Sequence, residues 1–114
     1  MIYVTIAEEK CTGRLILQLK GHAGAAPVGE DPVCAAASIL TYTAAQFFGC
    51  LYAEGKLQLE PELRLERGDS YLSALPEQGC EEEVLYGLYV LSLGFRLLAG
   101  QYPQRLKLKI FGGC

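Results

Sequence analysis

Apolar and polar side chains alternate at the start of the chain. Ile2-Tyr3-Val4-Thr5-Ile6 is β-branched and aromatic throughout, and beyond Cys11-Thr12-Gly13 the leucines Leu15, Leu17 and Leu19 recur every second residue. That is the period of a strand with one buried face, so the two runs predict an antiparallel hairpin. The segment GHAGAAPVGEDP that follows is rich in Gly, Ala and Pro and reads as a mobile loop. It ends at Asp31-Pro32, a helix start, because Asp accepts hydrogen bonds from the first backbone N–H groups and Pro suits the first helical position. Ala36, Leu40, Thr43, Phe47 and Leu51 then recur every three to four residues, which predicts a helix over about 32–51 with these residues as its apolar stripe.

Leu57 and Leu59, then Leu63 and Leu65, alternate with polar residues, and Gly68-Asp69 turns the chain into Ser70–Ser73. Two short strands are expected here. A second helix is expected over about 81–99: Glu81, Glu82 and Glu83 favour the positive end of its dipole, and Val84, Leu88, Leu91 and Phe95 share a face. Gly87 and Gly94 interrupt that pattern. Leu106, Leu108 and Ile110, alternating with Lys107 and Lys109, give a last strand. The order β-β-α-β-β-α-β predicts an α+β fold with two helices packed on one face of a mostly antiparallel sheet, because strands with one leucine face need a covering layer.

The chain has 114 residues, which fits a single domain spanning 1–114. A net charge of −3 argues against direct nucleic-acid binding, which relies on Lys and Arg neutralising phosphates. No run of roughly 20 uninterrupted apolar residues is present, and the N-terminus lacks a basic segment and a cleavage site, so no membrane span, no export and a cytoplasmic location are expected. Five cysteines cannot all pair, and in a reducing compartment free thiols are expected. With one histidine and no C-x-x-C pair, neither a metal nor a cofactor is expected.

The only histidine, His22, follows the second strand, and Cys34 falls in the first turn of the first helix, with the loop between them. A helix start favours a thiolate through its N–H groups and dipole, and an imidazole can take the thiol proton and return it to a leaving amine. N–H groups around Cys34 are expected to face the oxygen of an attacked carbonyl. Ala35-Ala36-Ala37 keeps the helix start slim, and Ser38 lies one turn beyond Cys34 on the same face. Each feature also has an ordinary meaning: a helical cysteine is commonly a small buried hydrophobe, and an Asp before Pro is commonly a cap.

The string G-H-A, a spacer containing G-x-D, and C-A-A-x-S closely resembles the signature of the ribosomal-processing cysteine proteases, or Prp family, and the resemblance extends over nearly the whole chain. It implies a Cys-His dyad, with Cys34 as nucleophile and His22 as general base, Asp31 and Ser38 in support, and Gly21, Gly24 and Gly29 letting the loop close over substrate. Asp31 could cap the helix, orient His22 or contact the peptide. Family members commonly carry an aliphatic residue after the Asp, where this chain has Pro32. The resemblance further implies a homodimer that removes the short N-terminal extension of the bacterial large-subunit ribosomal protein numbered twenty-seven. The alternatives are a non-catalytic module that binds a ribosomal protein or assembly factor, and a thiol redox sensor built on Cys34. Cys11, Cys50, Cys80 and Cys114 are assigned no function.

Overall fold

The computed structural model describes residues 1–27 and 29–112. Its elements are β1 (Ile2–Glu9), β2 (Arg14–Gly21), α1 (Pro32–Ala53), β3 (Glu62–Glu66), β4 (Asp69–Ala74), α2 (Glu81–Gln101) and β5 (Leu106–Gly112). The expected order holds, with each helix about two residues longer at its C-terminal end. Leu57–Glu60 stays outside the strands and contributes one bridge, Leu57 to Pro76.

The sheet runs β3-β4-β2-β1-β5. All neighbours are antiparallel except β1 and β5, so the sheet is mixed. The register lines up the apolar positions: Val4 faces Leu19, Ile6 faces Leu17, Leu17 faces Leu72, and Ile2 faces Leu106. Residues directly opposite share a face, so one side of the sheet is leucine-, isoleucine- and valine-rich, and these residues form a single core cluster with the buried residues of both helices.

Apart from Leu51, which is buried as expected, the face that α1 turns to the core is shifted by one position from the expected stripe. Val33, Ala37, Ala44, Ala45, Phe48 and Leu51 are buried, while Leu40 and Phe47 are half-buried and Thr43 is exposed. Small residues, mainly alanines, let this helix lie close to the sheet, and the larger Leu40 and Phe47 turn sideways onto α2. There they meet two of its three glycines. A Cβ at Gly94 would come 2.6 Å from Leu40 Cδ2, and one at Gly87 would overlap the Phe47 ring. The glycines that break the helical pattern are therefore the places where the two helices touch.

By length and average hydropathy both helices reach the range of membrane spans, although neither has an uninterrupted apolar run. In this fold each lays its buried residues against the sheet. Cys34, Cys50 and Cys80 are free thiols, whereas Cys11, in the exposed β1–β2 turn, is disulfide-bonded, against the expectation of free thiols. An odd cysteine count excludes only a complete pairing scheme, and a single bridge is compatible with it. Cys114 lies outside the described residues.

Candidate active site

The chain between β2 and α1 is tied at several backbone atoms. Asp31 is the N-cap of α1: its Oδ1 accepts from the N–H of Val33 at 2.9 Å and of Cys34 at 3.2 Å. Its Oδ2 accepts from Ala25 at 2.8 Å and Ala26 at 3.3 Å. One carboxylate thus joins the helix start to the middle of the loop. Burial works against its charged form, but the N–H donors of Cys34, Ala25, Val33 and Ala26 outweigh burial and hold the carboxyl below its ordinary value. None of these contacts is with His22. Of the three roles open to Asp31 in the sequence, the bonds seen are those of a cap that also clamps the loop.

That arrangement has a chemical consequence for Cys34. Its N–H is already engaged by Asp31, and the N–H of Ala35 donates to the Asp31 carbonyl at 3.0 Å. The helix-start donors expected to face a carbonyl oxygen are therefore spent inside the cap. Cys34 Sγ instead accepts from the N–H of Ala23, on the β2 side of the loop, at 3.4 Å.

His22 is exposed and sits just past β2. Gly21 before it is the last residue of the strand, with φ +96°, and a Cβ there would fall onto the Met1 carbonyl oxygen. Gly21 thus serves close packing of strand against strand, where loop mobility was expected. On its other side the Gly21 N–H donates to the Gly68 carbonyl at 2.9 Å. This places the β3–β4 turn beside His22: a Cβ at Gly68 would lie 2.5 Å from His22 Nε2 and 2.7 Å from Cε1. The imidazole packs on a backbone that lacks a side chain.

A cleft of about 480 Å³ opens here, and every residue singled out from the sequence lines it: His22, Cys34, Asp31, Ser38, Gly21, Gly24 and Gly29. Cys34, Ser38 and Tyr42 form one wall at four-residue helical spacing, and Glu66, Arg67, Gly68 and Ser70 form another. Cys34 and His22 share this cleft, with no hydrogen bond directly between them among the described residues. The second wall was not read from the sequence. Gly68-Asp69 was legible as a turn, but only the pairing of β4 with β2 brings that turn to the loop.

In fold, the chain is similar to the essential ribosomal processing protease Prp from S. aureus. The structure of that enzyme with a covalently linked product peptide matches with a TM-score of 0.69 and 19% identity, over 96% of this chain and 99% of that chain. A second S. aureus Prp structure, with a substrate peptide, matches with a TM-score of 0.66 and 17% identity over the same shares. SMU.848 from Streptococcus mutans matches with a TM-score of 0.66 and 28% identity, over 98% of this chain and 95% of that chain. A search of curated proteins gives no match. The sequence model described as Cysteine protease Prp matches residues 1–107, which include every residue that lines the cleft. This chain belongs to the Prp family of cysteine proteases.

Proposed function

We propose that this protein is a cysteine endopeptidase that uses Cys34 as nucleophile and His22 as general base to remove the N-terminal extension of the bacterial large-subunit ribosomal protein numbered twenty-seven. The observation that carries the reading is the shared cleft: in a member of a cysteine protease family, the only histidine and a free thiol at a helix start line one groove. The S. aureus relatives, crystallised with a substrate peptide and with a covalently linked product peptide, support a peptide as the occupant.

The chemistry follows from those groups. His22 takes the thiol proton, and the sulfur attacks the scissile carbonyl carbon, placing negative charge on its oxygen. Collapse of the adduct breaks the C–N bond as the imidazolium returns the proton to the departing amine, leaving a thioester on Cys34. Water, deprotonated by His22, then attacks the thioester, releases the carboxylate product and restores the thiol. Asp31 supports this by fixing the loop and the helix start in one piece. Ser38, exposed in the cleft wall, is available to the peptide backbone.

A homodimer is part of the same reading. The outer sides of the helices leave Ile39, Tyr86, Tyr89 and Leu97 exposed, apolar surface that a second copy could cover. The deciding test is incubation of the extended ribosomal protein with wild-type, Cys34→Ala and His22→Ala chains, read by intact mass. Cleavage by the wild type alone is expected. Wild-type rates from Cys34→Ala would refute the reading, and undiminished binding without any cleavage by the wild type would favour a non-catalytic module.

A further inference from the structure

Acyl transfer at Cys34 puts a negative oxygen next to its sulfur, and such an oxygen needs donors fixed in place before the reaction. The start of α1 cannot supply them. Pro32 has no N–H, those of Val33 and Cys34 are held by Asp31 Oδ1, and that of Ala35 is held by the Asp31 carbonyl. The donor that does face the sulfur belongs to the opposite strand end: the N–H of Ala23, a residue only 2% exposed, points at Cys34 Sγ over 3.4 Å.

A single side chain from the far end of the sequence holds this stretch from behind. Arg105, immediately before β5, donates through Nη1 to the Gly24 carbonyl at 2.9 Å and to the Ala23 carbonyl at 3.4 Å. Arg105 makes no ion pair among the described residues. Its guanidinium holds the carbonyls of the two peptide planes that follow the His22–Ala23 plane, while the carbonyl of that plane itself, on His22, accepts from the Met1 ammonium, so the Ala23 N–H is anchored from both sides.

We propose that the backbone N–H of Ala23 is the donor that stabilises the oxyanion, and that Arg105 is a positioning residue that steadies it through the two peptide planes that follow. This rests on the assignment of Cys34 as nucleophile. When the sulfur bonds to the carbonyl carbon, the new oxyanion lies two bonds from the sulfur, and the donor that faced the sulfur transfers to it. Its contribution is therefore greatest in the transition state and should be read in kcat rather than in KM.

The test uses the full chain and a peptide spanning the N-terminal extension of the ribosomal protein and its junction. Replacing the Ala23 residue by lactic acid turns its amide into an ester and removes the N–H while keeping every side chain; ligation at Val33–Cys34 gives access to this chain. The expected result is a ~10²–10³-fold fall in kcat, the range seen for loss of one such donor, with KM little changed. Arg105→Met should lower kcat with little change in KM, Arg105→Lys should fall between it and wild type, and millimolar guanidinium chloride should restore Arg105→Met. Should Arg105→Met fail to fold, the ester decides. Wild-type kcat from the folded ester chain would overturn the proposal. Cys34→Ala is assayed alongside: if it cleaves at the wild-type rate, the nucleophile assignment fails, and if it is inactive while the ester chain is fully active, only the donor assignment fails.

Discussion

Gly68→Ala separates the chemistry of the cleft from the stability of the fold. Gly68 has φ +73°, where an L-residue costs about 1–2 kcal/mol. The new methyl would also lie 2.5 Å from His22 Nε2 and 2.7 Å from Cε1, against ~3.5–4.0 Å for ordinary carbon contacts. The imidazole must therefore retreat by about 1 Å, and a misplacement of that size costs on the order of 10²-fold in rate. Gly55→Ala is the control, since Gly55 has nearly the same backbone angle, φ +75°, and nothing within 4 Å. Both variants should lose a few degrees of melting temperature by circular dichroism, at about 4 °C per kcal/mol for a chain of this size. Only Gly68→Ala should lose about two orders of magnitude in kcat/KM for peptide cleavage. Equal kcat/KM in the two folded variants would refute the idea that this turn sets the position of His22.

The remaining predictions concern the cap and the helix contact. Because the Asp31 carboxyl is held below its ordinary value, its stabilising effect is complete above the unfolded-state pKa of about 4 and disappears as pH falls through the lower folded-state value. Urea unfolding from pH 2 to 7 should show Asp31→Asn less stable than wild type at neutral pH, with the difference shrinking at the acid end; a constant difference would contradict the linkage. Gly94→Ala should destabilise by about 1–3 kcal/mol, because its methyl meets Leu40, in spite of the better helix propensity of alanine. Gly49→Ala, in α1 with nothing within 4 Å, should instead stabilise by roughly 0.5–1 kcal/mol, and opposite signs in the urea midpoints are the check.

The parts legible in the sequence are those fixed by short-range pattern. Alternating leucines gave the strands, and Asp31-Pro32 marked the helix start because capping needs only neighbouring residues. The α1 stripe was misjudged because apolar size does not tell which partner a side chain meets: Phe48 and Leu51 join Ala37, Ala44 and Ala45 in the core, while the equally large Phe47 and Leu40 go to glycines of α2. In the cleft, the wall that follows directly on β2 was legible, since His22, Asp31 and Cys34 lie within one short stretch. The wall from the β3–β4 turn and the tether from Arg105 were not, because they depend on strand order, which no local period encodes. The Asp31 cap was itself legible, and its consequence for the site was not: the same residue that announces the helix consumes the donors that a helix start is expected to offer.

The tether from Arg105 crosses 82 residues of sequence to reach Ala23. A chain emerging from the ribosome exposes His22 and Cys34 early, but Arg105, which holds the backbone between them, leaves about 70 residues after Cys34, just ahead of the strand that pairs with β1. Until that strand docks, the loop lacks its anchor. The order of synthesis thus withholds a complete cleft from any copy in which β5 has not yet been made, so a thiol that emerges among nascent polypeptides acquires its full geometry only after the whole sheet has formed.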